Sequence, residues 1–181
     1  KKHINNPIRI SAEAEVDPKK LKQAYYDTQD SIKFSLLVHL LTKEDRGLVM
    51  VFCNSRKSTD FVARNLKKAG VHSQAIHGGL TQQRRRRVLE NFHSKDVFVL
   101  VCTDVAARGL DIRNVSHVFN YELSRDPEEY IHRIGRTARA GKEGIAISLI
   151  SERDYENFRN VLRDQSLKVE QTPVPEIQIR L

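Results

Sequence analysis

GLVMVFCNSRKSTDFVARNLKKAG, residues 47–70, decides how this chain folds. Its first seven residues are a continuous apolar run, shorter than a typical helix and without the alternation of a strand that has one wet face. Such a run marks a strand buried on both sides, the situation of a parallel sheet. Asn54, Ser55 and Arg56 then leave the strand, Ser58 or Ser55 offers an N-cap, and helical patterning continues to Ala69 with Gly70 as the stop. Strand, polar turn and helix in this order make half of a right-handed crossover.

The alternation repeats on either side. IKFSLLVHLL (32–41) reads as an amphipathic helix. Downstream lie a strand near 72–77, a helix over 81–93 capped by Thr81, a second buried strand VFVLVC (97–102) and a strand VSHVFNY (115–121). The helix PEEYIHRIG is opened by Pro127, and the strand GIAISLI (144–150) and a helix over 152–164 follow. The expected fold is α/β, one domain in three layers with a parallel sheet between helices. Residues 1–18, with Pro7 and Pro18 bracketing a mixed segment, read as a linker or entering arm, 19–165 as the domain, and 166–181 as a C-terminal tail whose end, TPVPEIQIRL (172–181), is irregular or docked.

Composition narrows the partners. The 181 residues are 39% hydrophobic, enough for one core, and 31 Lys+Arg against 23 Asp+Glu leave a net charge of +8. That balance favours an anionic partner, nucleic acid before membrane. No apolar run approaches the length of a membrane span and no signal-peptide pattern opens the chain, so a soluble intracellular protein is expected. Cys53 and Cys102 each close an apolar run, which suits buried free thiols better than a disulfide, and no paired Cys/His spacing suggests a metal. The opening KKHINNP, without Met, reads as part of something longer.

In open parallel sheets ligands gather at the carboxyl ends of strands, where the following helices present their N-termini. Ser55, after the strand at 47–53, either caps its helix or holds a nucleic-acid phosphate. In HGGLTQQRRRRVLENF (77–92), Gly78 and Gly79 permit a tight turn. With Val88, Leu89 and Phe92 as the buried face, Arg84, Arg86 and Arg87 point away and Arg85 points inward. Arg85 therefore needs a partner: a phosphate, with Gln82 assisting, or a buried ion pair with Asp104 or Asp111. In CTDVAARGLDI (102–112), Thr103 and Asp104 end the strand, Gly109 frees the backbone, Asp111 suits a ribose hydroxyl or a turn cap, and Arg108 can pair with either acid.

HRIGRTARAG (132–141) places His132, Arg136 and Arg139 on one stripe if it is helical. Like charges so stacked cost a few tenths of a kcal/mol per pair and Gly135 about 1 kcal/mol against alanine. The stripe is either a solvated basic face or a pocket for a polyanion such as a triphosphate. No GxxxxGK[ST] loop occurs in the chain. Arginines that seek phosphate without a primary cradle suit fingers delivered to a site built mainly by another domain.

Taken in order, VFCNSR, HGGLTQQRRR, VLVCTDVAARGLDI and YIHRIGRTARAG resemble the second, C-terminal RecA-like domain of DEAD-box ATP-dependent RNA helicases, over roughly residues 20–165. The resemblance implies an ATP-hydrolysing, RNA-unwinding enzyme whose N-terminal RecA-like domain carries the P-loop and the DEAD sequence and holds most of the Mg²⁺ contacts. INNPIRI (4–10) resembles the interdomain linker. By the same resemblance Arg136 and Arg139 are arginine fingers to the γ-phosphate of ATP, His132 couples the domains, and Asp111, beside Gly109, binds the ribose. Ser55, Gly78, Gln82, Arg85, Thr103 and Asp104 are implied contacts to RNA, mostly to its backbone. A cytoplasmic monomer, without a metal ligand of its own and inactive as an isolated piece, goes with this reading. Two departures stand out: Ala138 replaces the glycine usual after the threonine, and NYELSRDP (120–127) lacks the Asp and Pro of the common NYDxP, leaving Glu122 to Asp126 without a role. A DNA-directed helicase of the same superfamily and a non-catalytic RNA-binding scaffold are the alternatives. A preference for DNA would mark the first, and failure to restore ATPase with an N-terminal partner the second.

Overall fold

A computed structural model describes residues 20–43, 47–110, 112, 115–139 and 141–178. The strands are β1 (Leu21–Asp27), β2 (Leu48–Phe52), β3 (Ser73–Ile76), β4 (Val99–Cys102), β5 (Val115–Asn120), β6 (Gly144–Ile150) and β7 (Val169–Gln171). They form one all-parallel sheet in the order β3-β4-β2-β5-β6-β1-β7. The helices are α1 (Asp30–Thr42), α2 (Arg56–Lys68), α3 (Gln82–His93), α4 (Asp104–Ala107), α5 (Pro127–Ile134) and α6 (Tyr155–Val161), the last preceded by a 3₁₀ turn over Glu152–Asp154. No described helix is long and apolar enough to cross a membrane.

Both faces of the central strands are dry, as the unbroken apolar runs require. In β2, Val49 and Val51, with Cys53 just beyond the strand, join Leu36, Leu37, Val62 and Leu66 of α1 and α2 on one side. Leu48, Met50 and Phe52 meet Val88 and Phe92 of α3 and Ala106 of α4 on the other. A third cluster packs α5 and α6 through Tyr130, Ile134 and Phe158 onto Ala146 and Ile150 of β6. Leu36, Leu37 and Leu66 are fully buried; truncating any one to alanine costs about 2–5 kcal/mol.

Helix ends follow the local chemistry. Ser55 is the N-cap of α2, its Oγ accepting from the Ser58 N–H at 3.0 Å. At the other end Gly70, at φ +83°, follows the cap residue Ala69. The N–H groups of Gly70 and Val71 return to the carbonyls of Lys67 and Leu66, closing a Schellman motif. Thr81 caps α3, and Pro127 is the first residue of α5 after the cap Asp126.

One expectation changes, and two strands join the sheet that the sequence did not mark. The helix over 32–41 is not amphipathic: Lys33 and every residue from Ser35 to Leu41 except His39 are buried, because Val174 and Ile177 from the tail pack against the same cluster as α1. The segment LKQAYYD forms β1, whose half-buried residues lack a strong period, and β1 pairs with both β6 and β7. Val169–Gln171 form β7 and extend the sheet, and the described residues beyond it, 172–178, have no regular structure and dock through Val174 and Ile177, as read for TPVPEIQIRL.

A guanidinium-anchored candidate site

Three strand ends meet at one buried arginine. Arg133, on α5, is 1% exposed. Its Nε and Nη2 donate to Asp104 Oδ1 and Oδ2 at 2.6 and 2.7 Å, Nη2 also to Asn54 Oδ1 at 2.9 Å, and Nη1 to the Glu122 carbonyl and Asn120 Oδ1 at 2.6 and 3.3 Å. A guanidinium has five N–H groups, and these contacts account for all of them. Its Cζ also lies over the Phe52 ring, 5.2 Å from the centroid. Arg133 therefore fastens α5 to the ends of β2, β4 and β5 and has no donor left for a ligand. The helical-wheel reasoning that singled out Arg85 would have found it, since Tyr130, Arg133 and Ile134 share the buried face of α5.

This anchor corrects the expectations for Asp104 and Arg108. Both carboxylate oxygens of Asp104 serve Arg133 rather than standing ready for RNA. Arg108 pairs with Glu129 at 3.1 Å instead of with Asp104. The NYELSRDP segment also acquires work: Glu122 Oε2 accepts from the Asn54 N–H at 2.6 Å, Ser124 donates to Glu129, and Asp126 caps α5 by accepting from Glu128 N–H at 2.9 Å.

Along the carboxyl edge, Ser55, Gly78, Gln82, Arg85 and Thr103 occupy adjoining turns. Arg56, next to Ser55, lies across Gly78: a Cβ there would come within 3.5 Å of its guanidinium. His77 is buried, with Nδ1 accepting from the Gly79 N–H and Nε2 facing Asp60 Oδ1, each at 3.1 Å. Arg85 is half-buried as the wheel required, but its partner is the Ala106 carbonyl of α4 at 3.5 Å. The ion pair considered with Asp104 is not formed, because Arg133 occupies that carboxylate. Gln82 is exposed and Thr103 is buried at the start of α4.

His132, Arg136 and Arg139 do not form one helical stripe. α5 ends at Ile134, with Gly135 as its C-cap, and the chain turns. His132 is exposed, Arg136 is 8% exposed with Nη1 donating to the Leu110 carbonyl at 3.2 Å, and Arg139 is half-buried with Nε donating to the Gly135 carbonyl at 2.5 Å. Nor does this turn sit at the carboxyl edge. Thr137 Oγ1 donates to the carbonyls of Val115 and Ser116, at the start of β5, at 2.7 and 3.1 Å. His132 and Arg136 line a small cavity on the α4–α5 side together with Asp104, Arg108 and Arg133. Gly109, at φ +72°, gives the α4–β5 connection a left-handed residue. Asp111 lies outside the described residues.

The threonine-alanine turn is tight. Ala138 takes φ +55° and is 1% exposed, a conformation that costs a non-glycine residue about 1–2 kcal/mol. A Cβ on Gly144 would lie 2.3 Å from both the Ala138 nitrogen and Thr137 Oγ1, so β6 must begin with glycine for the turn to close over it. Cys53 and Cys102 end neighbouring strands, the Cys53 N–H donating to the Cys102 carbonyl at 2.9 Å, but their side chains belong to opposite faces. Burial pushes both thiols up, and no disulfide joins them. Among the described residues no group of three His, Cys, Asp or Glu side chains is placed to hold a metal.

This parallel fold, with its guanidinium-rich turn after α5, is that of a known class. The profile of the helicase conserved C-terminal domain matches residues 32–141, and the chain belongs to that family. Among curated relatives it is 39% identical over 173 residues to the DEAD-box ATP-dependent RNA helicase CshA of Bacillus cereus, covering 95% of this chain and 33% of that protein. It is 43% identical over 159 residues to CshA of Listeria monocytogenes, covering 88% and 30%. The chain thus spans about a third of the length of these relatives. Among solved structures, E. coli DEAD-box protein SrmB, bound to regulator of ribonuclease activity A, aligns with a TM-score of 0.81 at 37% identity, covering 88% of this chain and 98% of that one. The C-terminal domain of the DEAD-box protein Dbp5 aligns at 0.77 and 33%, covering 87% and 92%. Within its family the chain is a C-terminal RecA-like domain of the DEAD-box kind.

Proposed function

We propose that this chain is the C-terminal half of an ATP-dependent RNA helicase and works by closing, with RNA, on an N-terminal RecA-like domain that holds the nucleotide. One observation carries the reading. Arg133 spends every donor on its own domain, His132 is exposed beside it on α5, and in the turn that follows Arg136 and Arg139 donate to the carbonyls of Leu110 and Gly135. The committed guanidinium fixes the helix from which this turn springs, and cations held in place before a phosphate arrives lower the cost of presenting charge to it.

In this reading Arg136 and Arg139 exchange their carbonyl contacts for oxygens of the γ-phosphate and stabilise the charge that develops there. ATP, held by the partner domain with Mg²⁺, supplies the phosphoryl group whose transfer drives the cycle. His132, exposed on α5, meets the partner domain, and Asp111 takes the ribose beside Gly109. Ser55, Gly78, Gln82, Arg85 and Thr103 form the RNA-facing rim, where phosphate contacts dominate and base readout is slight. Asp104 serves this rim as a positioning residue through Arg133.

The deciding measurement uses the full-length enzyme. Arg136→Ala should lower RNA-stimulated ATPase by about 10³-fold or more while nucleotide-free RNA binding stays near wild type. ATPase within a few-fold of wild type overturns the finger assignment. This chain alone should hydrolyse no ATP, and its affinity for RNA should fall steeply with salt.

A further inference from the structure

The strand at one margin of the sheet, β3, lies between α2 and α3, which pack on opposite faces. The space between the two helices is an open groove of about 660 Å³. Arg64 and Lys67 line it from α2, Arg84 and Arg87 from α3, each pair spaced so that both members leave the same helix face. All four are exposed, and among the described residues none forms an ion pair. The carboxylate that lines the groove, Asp60, faces His77. The floor is equally unspent: β3 bonds to β4 through the carbonyls of His72 and Ile76, so on a strand whose residues alternate sides the N–H and C=O of Ser73 and Ala75 face the groove.

We infer that this groove is a docking site for an extended, acidic segment of a partner protein, added as a strand beside β3. Successive side chains of such a segment point to opposite faces and therefore reach the α2 cations and the α3 cations in turn. The open backbone of Ser73 and Ala75 offers both donors and acceptors. A peptide matches both, whereas a phosphodiester backbone, rich in acceptors, leaves the carbonyls poorly served. A slot between helices on the two faces of one sheet is a single sheet thick, which fits one extended chain. None of the four cations belongs to the proposed nucleotide site, so the two readings fail independently.

Fluorescence anisotropy on the 181-residue chain tests this with three labelled probes: a twelve-residue Glu-Val peptide of the repeat Glu-Glu-Val-Val, which puts glutamates on both faces of the strand, the same peptide N-methylated at every amide, and oligouridine. The Glu-Val peptide should bind, weaken with salt, and raise hydrogen-exchange protection at Ser73 and Ala75. N-methylation should weaken it, because the strand pairing is lost. The double variant R64E/R87E, one exposed cation from each wall, should weaken it by about tenfold or more and weaken oligouridine less. No binding of the Glu-Val peptide at low salt, equal binding of the methylated peptide, or indifference to R64E/R87E overturns the proposal. A double variant that weakens oligouridine more than the peptide assigns the groove to RNA instead.

Discussion

Arg133 meets Asp104 side-on, with Nε–Oδ1 at 2.6 Å and Nη2–Oδ2 at 2.7 Å, the arginine side chain 1% and the aspartate 15% exposed. Removing one member of such a pair leaves a buried charge uncompensated. Arg133→Ala should therefore cost about 3–5 kcal/mol in urea unfolding. Arg133→Lys should recover little of it, because an ammonium lacks the planar fork that reaches Asp104, Asn54 and the Glu122 carbonyl together. A loss below about 1 kcal/mol in both variants would mean that the anchor contributes little to the fold.

Gly144→Ala places a methyl where the Ala138 nitrogen and Thr137 Oγ1 already lie, 2.3 Å from the ideal Cβ. Neither atom is the end of a flexible chain, so β6 and the turn must separate. The expected cost is about 3 kcal/mol, at the upper end of overpacking. If thermal unfolding shows no destabilisation, the turn does not close over Gly144 in solution.

Lys33 and Asp154 form a buried ion pair at 2.6 Å. Burial works to raise the Asp154 carboxyl, but the Lys33 ammonium, with N–H groups of Leu123 and Ser151, outweighs it and holds the group below the usual carboxylate range. A folded-state value below the unfolded one gives stability that is fully present above the unfolded value of about 3.9 and is lost as pH falls through the folded value. The stability gap between wild type and Asp154→Asn should be constant near neutrality and shrink below about pH 4. A gap that does not change with acid would separate this pair from acid unfolding.

Both cysteines are fully buried and on opposite faces of the sheet. With their thiols pushed up by burial, neither should react with a disulfide reagent in the native protein, and both should titrate after unfolding. Rapid native labelling of either would show that the strand ends open readily.

Much of the chain's organisation was legible from local chemistry. The strands at 48–52 and 99–102 announced themselves because a strand buried on both faces cannot tolerate polar residues on either, and Ser55, Thr81 and Gly70 mark helix ends by bonds made within a few residues. β1 and β7 were silent, since their residues are half-buried or exposed and their stability comes from pairing partners more than a hundred residues away.

The site divides along the same line. That Arg85 would be half-buried followed from the spacing of Val88, Leu89 and Phe92 on one helix, but whether it would meet a carboxylate or a carbonyl depended on which arginine reached Asp104 first. Arg133 won because α5 crosses the ends of three strands, a placement no window of sequence contains. The helical stripe drawn through His132, Arg136 and Arg139 failed for a similar reason. Thr137 is tied to Val115 and Ser116, and Gly144 admits the turn, so a long-range contact ended the helix where spacing alone would have continued it. Short-range bonds and two-faced burial are properties of consecutive residues; the choice of partner among competing charges is a property of the packed chain.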